Sequence, residues 1–123
     1  DLVILKREHR LAGRDRFDEI RRHGKCWTHR LLVVCILPND LSGSRFGFSV
    51  SRRVGGAVVR NRVRRRLREI VRLRLSTIAP GWDVVLIARP PIAQAEFRQL
   101  ENAVGKVLAQ AGLHAAPPVS SAK

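Results

Sequence analysis

Ten arginines lie between Arg52 and Arg74, against a single acid, Glu69. A guanidinium is always charged, planar and able to hold two phosphate oxygens at once, so this density points to a polyanionic partner. The spacing adds order to the charge. Val59, Val63, Leu67, Ile70 and Val71 follow at intervals of four, four, three and one, which gathers them on one side of a helix. Asn61, Arg65, Arg68 and Arg72 recur at four, three and four on the other side. A helix with one face in a core and the other lined with arginine is a folded nucleic-acid-binding element. A merely solvated face would mix Glu and Lys with the Arg, and this one does not.

The other reactive side chains make no catalytic set. Ser49 and Ser51 have no His–Asp pair at a useful spacing, and the ten acids are scattered rather than paired. His23, Cys26, His29 and Cys35 are separated by two, two and five residues, which is irregular for zinc, and Cys35 falls in an apolar run. They read as one buried cysteine and three surface side chains, with a metal at His23, Cys26 and His29 left open. Gly55-Gly56 before a helix suits an anion nest but lacks the full phosphate-loop pattern. A chain so basic and so poor in catalytic groups holds a substrate rather than cutting it.

The bulk numbers agree. A chain of 123 residues supports one domain with one modest core, and 45% hydrophobic residues make a folded protein compatible with a net charge of +14. Only six aromatic residues, with no Tyr, weigh against a platform that reads bases by serial stacking. Twenty Arg against four Lys favour structured RNA or DNA over a diffuse membrane surface. No apolar run is long enough to span a bilayer, and Asp1–Leu5 is too short for a signal peptide. The missing initiator Met suggests processing or trimming. Two cysteines outside any scaffold pattern imply reduced thiols in a cytoplasmic protein.

The elements carrying these residues alternate between helix and strand. Leu5 to Leu11 reads as irregular, and Arg14 to His23 as a helix stopped by Gly24. Arg30 to Leu37 is a strand-like run. Arg45 to Arg52 alternates, with Phe46, Phe48 and Val50 on a buried face and Arg45, Gly47, Ser49 and Ser51 on an open one. The arginine helix spans about Ala57 to Ser76. Trp82 to Ala88 is a continuous apolar strand suited to the middle of a sheet, and Ala95 to Gln110 a last amphipathic helix before Gly112. The order helix, strands, helix, strand, helix predicts a single compact α+β domain over residues 1–113, with a mixed sheet of about four strands. Residues 114–123 read as a disordered tail.

Gly55-Gly-Ala-Val-Val-Arg-Asn-Arg-Val-Arg-Arg-Arg-Leu-Arg68, preceded by Phe46-Gly-Phe-Ser-Val-Ser51, closely resembles the signature of the bacterial ribonuclease P protein subunit, whose centre is Arg60-Asn61-Arg62. The resemblance runs from about Leu5 to Leu113 and includes Ile87-Ala-Arg-Pro90. It implies a ribosomal protein S5 domain 2-like fold with a left-handed strand–helix–strand crossover, against the usual right-handed rule. It also implies a role in an endoribonuclease that removes the 5′ leader from precursor tRNA by phosphodiester hydrolysis. In that family the RNA subunit carries the chemistry and holds the Mg²⁺ that the holoenzyme requires. The protein contacts the catalytic RNA and the leader, one protein to one RNA in the cytoplasm, without a membrane.

Carried over residue by residue, Arg60, Asn61, Arg62, Arg65, Arg66 and Arg68 become the RNA-contacting motif, and Arg52 and Arg53 lie between two surfaces. Phe17, Arg21, Gly47, Ser49 and Ser51 line a leader cleft. Phe17 has two readings, a core anchor of its helix or a stacking ring in that cleft. Two departures bear on leader-base preference: Arg21 stands where the family often has a second aromatic, and Cys35 where a strand aromatic is common. The alternatives are a non-enzymatic RNA-binding module, such as a ribosomal protein, and a self-sufficient nuclease. The latter would need grouped carboxylates.

Overall fold

The computed structural model describes residues 7–113, so the tail expected over 114–123 and the chain's first residues lie outside it. Three α-helices, α1 (Arg14–His23), α2 (Ala57–Arg74) and α3 (Phe97–Gln110), pack on four strands, β1 (Lys25–Thr28), β2 (Leu32–Pro38), β3 (Arg45–Ser49) and β4 (Trp82–Ala88). The sheet order is β1-β2-β4-β3. β2 is antiparallel to β1 and β4, whereas β3 and β4 are parallel neighbours joined through α2. Val84 to Ile87 therefore lie on an interior strand, as a continuous apolar run requires.

Strand periodicity splits the sheet into two faces. Leu32, Val34, Ile36, Phe46, Val84 and Leu86 face the main core, into which α2 delivers Val63, Leu67, Ile70 and Val71. α3 adds Leu100, Val104, Val107 and Leu108 to the same core, with Leu67 and Val104 fully excluded from solvent. The opposite face carries a smaller cluster of Leu11, Ile20, Cys35 and Val85, with Phe17, Val33, Leu37 and Ile87 packed against it. α1 lies on that second face, over β2 and β4.

Several boundaries differ from the sequence reading. α2 stops at Arg74 and tightens into a 3-10 turn over Leu75–Thr77, and a second 3-10 turn, Pro90–Gln94, precedes α3. Within the segment read as irregular, Arg7–His9 is a 3-10 turn and Arg10 bridges Phe46 beside β3. β3 ends at Ser49, so Ser51 is not on its face. The Ser51 carbonyl instead accepts from Val54 N–H and its hydroxyl from Arg53 N–H. Phe48 is half-buried rather than buried.

β1 is an added strand. Its four residues, Lys-Cys-Trp-Thr, are too short and polar to read locally, and it exists because β2 supplies its hydrogen-bond partners. Its register places Cys26 opposite Cys35, and the two form a disulfide with Cα atoms 4.0 Å apart. The expectation of reduced thiols is thereby corrected. Among the described residues no group of three or more His, Cys, Asp or Glu is placed to hold a metal ion.

Candidate nucleic-acid interface

The expected arginine face of α2 divides into two rows. Arg62 and Arg66, one turn apart, lean toward α3: Arg62 Nη2 donates to the Ala93 carbonyl at 3.2 Å and Arg66 Nη1 to the Ala95 carbonyl at 3.3 Å. Those carbonyls belong to the 3-10 turn before α3 and to the residue that follows it. Each bond uses one of five guanidinium donors, so both side chains staple the fold and still present charge. Asn61, Arg65 and Arg68 are exposed on the outer row. Arg64 Nη1 donates to the Asn61 side-chain oxygen at 2.8 Å, and Arg60 Nε to the Gly55 carbonyl at 3.2 Å.

Arg72 departs from the expected outer face. It is half-buried and forms a two-point pair with Glu69, at 3.1 and 2.8 Å, which holds that carboxyl below its ordinary pKa. The one acid of the segment is thus matched locally, leaving the charge of the outer row uncompensated. Arg52 and Arg53 are exposed in the turn between β3 and α2.

A cleft of about 530 Å³ opens on the other face of the sheet, lined by Arg14, Phe17, Asp18, Arg21 and Ser49 together with Leu11, Ala12 and Gly13. Gly13, at φ 102°, turns the chain into α1 in a conformation that favours glycine. Spacings of three, four and seven from Arg14 put Phe17, Asp18 and Arg21 on one side of α1. That pattern was the available sign for Arg14 and Asp18, which the sequence reading passed over. Basic Arg21, Arg22 and His23 in the last turn also suit the helix dipole.

Phe17 is half-buried, neither wholly a core anchor nor wholly exposed. Its inner side packs on the smaller apolar cluster, while the ring borders the large cleft and a second hollow of about 190 Å³. That hollow is lined by Arg10, Phe46, Gly47, Phe48 and Arg68 as well. The expectation that Gly47 leaves open room for a ligand is corrected, because the Phe17 ring itself fills the place of a β-carbon there. Arg68 sits over the Phe48 ring, its guanidinium carbon 5.9 Å from the centroid. The arginine face and the cleft accordingly meet around Phe17. Cys35, where an aromatic is common in the resembled family, lies buried beneath α1.

Comparison with known proteins decides what this surface belongs to. The family model described as Ribonuclease P matches residues 5–112. The chain belongs to the ribonuclease P protein family. The ribonuclease P protein component of Roseiflexus castenholzii is 47% identical over 110 residues, covering 89% of this chain and 90% of that protein. That of Chloroflexus aurantiacus is 42% identical over 114 residues, covering 92% and 84%. Among solved structures, the Staphylococcus aureus RNase P protein superposes with a TM-score of 0.81 at 31% identity, covering 86% of this chain and 97% of that one. The Thermotoga maritima RNase P protein gives 0.76 at 30% identity, covering 82% and 96%. Membership makes the chain a protein subunit of ribonuclease P, with RNA binding and precursor-tRNA processing as its setting, and sets aside the ribosomal-protein alternative. Among the described residues no helix is long and apolar enough to cross a membrane.

Proposed function

We propose that the outer arginine row of α2, with Asn61, Arg52 and Arg53, binds the catalytic RNA of ribonuclease P, while the cleft under α1 takes the single-stranded 5′ leader of precursor tRNA. In this reading the RNA subunit performs the hydrolysis with its own Mg²⁺, and one protein joins one RNA in the cytoplasm. The protein acts by lowering the electrostatic cost of bringing two polyanions together and by holding the leader in place.

The observation that carries the reading is the position of Phe17 between the two hollows, with Arg21 and Ser49 on one side and Arg68 and Phe48 on the other. A half-buried ring that borders open space on two sides suits stacking of a single base, and flanking guanidinium groups suit the phosphates on either side. Gly47 serves this site by seating the ring, and Ser49 by leaving the cleft floor small and polar. Ser51 lies past the strand end and is not among the residues that line the cleft.

Phe17→Ala tests the assignment. Affinity for precursor tRNA should fall by ~1–3 kcal/mol, the worth of one base–aromatic stack, with affinity for mature tRNA nearly unchanged. Equal losses for both RNAs, with a large fall in melting temperature, would return Phe17 to the core and sink the leader assignment.

A further inference from the structure

We propose that Asp83 is a positioning residue for the cleft: through Arg16 it sets where α1, and with it the Phe17 ring, sits on the sheet. Asp83 is fully buried, and a carboxylate is stable there only when donors saturate its oxygens. They are saturated. Oδ2 accepts from Arg16 Nε at 2.7 Å and Arg45 Nη2 at 2.7 Å, and Oδ1 from Arg45 Nε at 2.8 Å and Asn39 Nδ2 at 3.0 Å.

The donors come from different parts of the fold. Arg45 is the register partner of Asp83 across β3 and β4, so that pair belongs to the sheet alone. Arg16 belongs to α1, and it also donates to the Pro38 carbonyl at the end of β2 and to Glu19, each at 3.0 Å. Ile20 and Phe17 hold the same helix to the sheet by apolar packing, which is non-directional. A charged hydrogen bond fixes distance and angle. Arg16 therefore supplies a directional tie between helix and sheet.

The tie lies one step from the ring on both partners. Arg16 immediately precedes Phe17, while Asp83 and Arg45 precede Val85 and Gly47 by two residues on the same sheet face. Val85 and Gly47 are themselves register partners, and Phe17 covers Gly47. A helix released from Asp83 can slide along the apolar cluster, carrying the ring off its glycine seat and changing the shape of both hollows.

This inference rests on the leader reading of the cleft, and the experiment separates the two. In reconstituted holoenzyme, affinities for precursor and mature tRNA and melting temperatures are measured for Arg16→Gln, Arg45→Gln, Arg16→Lys and Phe17→Ala. Arg45 gives Asp83 two hydrogen bonds and Arg16 one, so Arg45→Gln should disturb the fold at least as much while leaving α1 tied. Of the two glutamine variants, only Arg16→Gln should lose preference for precursor over mature tRNA, by up to the ~5- to 150-fold equivalent of one missing stack. Arg16→Lys, which restores a charged donor, should recover part of it. The proposal is overturned if Arg16→Gln keeps full preference while Phe17→Ala loses it, or if Arg45→Gln loses as much as Arg16→Gln. If Phe17→Ala itself keeps full preference, the leader reading fails first and the positioning role falls with it.

Discussion

The Phe17 ring occupies the space that a β-carbon at position 47 would need, so α1 docks on bare backbone at the one glycine of β3. A residue that the strand pattern presents as open floor is in fact the seat of a helix. Gly47→Ala should therefore displace the ring, costing ~1–3 kcal/mol as overpacking usually does. Thermal melting gives the stability change. Binding of precursor against mature tRNA should show a loss confined to the precursor, and an unchanged ratio would mean the ring position does not matter to the leader.

Two substitutions on α2 should separate its faces. Leu67 is fully buried, so Leu67→Ala should cost ~2–5 kcal/mol of stability. Arg65 is exposed with its charge outward, so Arg65→Ala should change stability by less than about 0.5 kcal/mol. Its effect belongs in RNA binding, where the slope of log affinity against log salt should fall by ~0.7–0.9 for each phosphate the variant no longer neutralises. Chemical denaturation and salt titrations read the two effects independently.

Acid should weaken the fold through Asp83. Burial alone would raise its pKa, but the donors Arg45, Asn39 and Arg16 outweigh burial and bring it below the ordinary 3.8. A carboxylate depressed on folding contributes stability that is fully present above the unfolded value and lost as pH falls through the folded one. Denaturation midpoints should accordingly be insensitive to this group above about pH 5 and decline below about pH 4. Asp83→Asn should lose ~3–5 kcal/mol at neutral pH, because two partly buried guanidinium groups lose their counter-charge. Its acid limb should also be flatter than that of the unmodified chain.

Closing a loop between residues nine apart, the Cys26–Cys35 bond should add ~2–3 kcal/mol by restricting the unfolded chain. Melting with and without a thiol reductant measures it. The double Cys→Ser variant should show no reductant dependence, and equal melting of the oxidised and reduced chains would remove the bond from the stability account.

Catalysis should require the RNA. Isolated protein with Mg²⁺ should leave precursor tRNA uncut, and addition of a ribonuclease P RNA should bring cleavage. The benefit of the protein should be largest at low Mg²⁺ and low salt, where phosphate repulsion is least screened. Cleavage by rigorously RNA-free protein would contradict the division of labour proposed above.

Local pattern alone was enough for α2, whose buried Val63, Leu67, Ile70 and Val71 fall where a 3.6-residue period places them, and for β4 as an interior strand. Both follow from short-range geometry: the helix repeats within a few residues, and a strand covered on both faces carries an unbroken apolar run such as Val84 to Ile87. The arginine signature likewise sits on one continuous segment, so its resemblance was visible without a fold. What the tertiary structure decided depends on pairings between distant segments. The sheet order brings β1 against β2 and so Cys26 against Cys35, which no local signal in Lys25–Thr28 announced. The parallel register of β3 and β4 sets Asp83 beside Arg45, and the docking of α1 brings Arg16 to the same carboxylate from 67 residues away. That docking also places Phe17 on Gly47 and opens the cleft beside it. Composition records only that such residues exist; the energy that brings them together is long-range burial and charge pairing, realised only when the whole chain has folded.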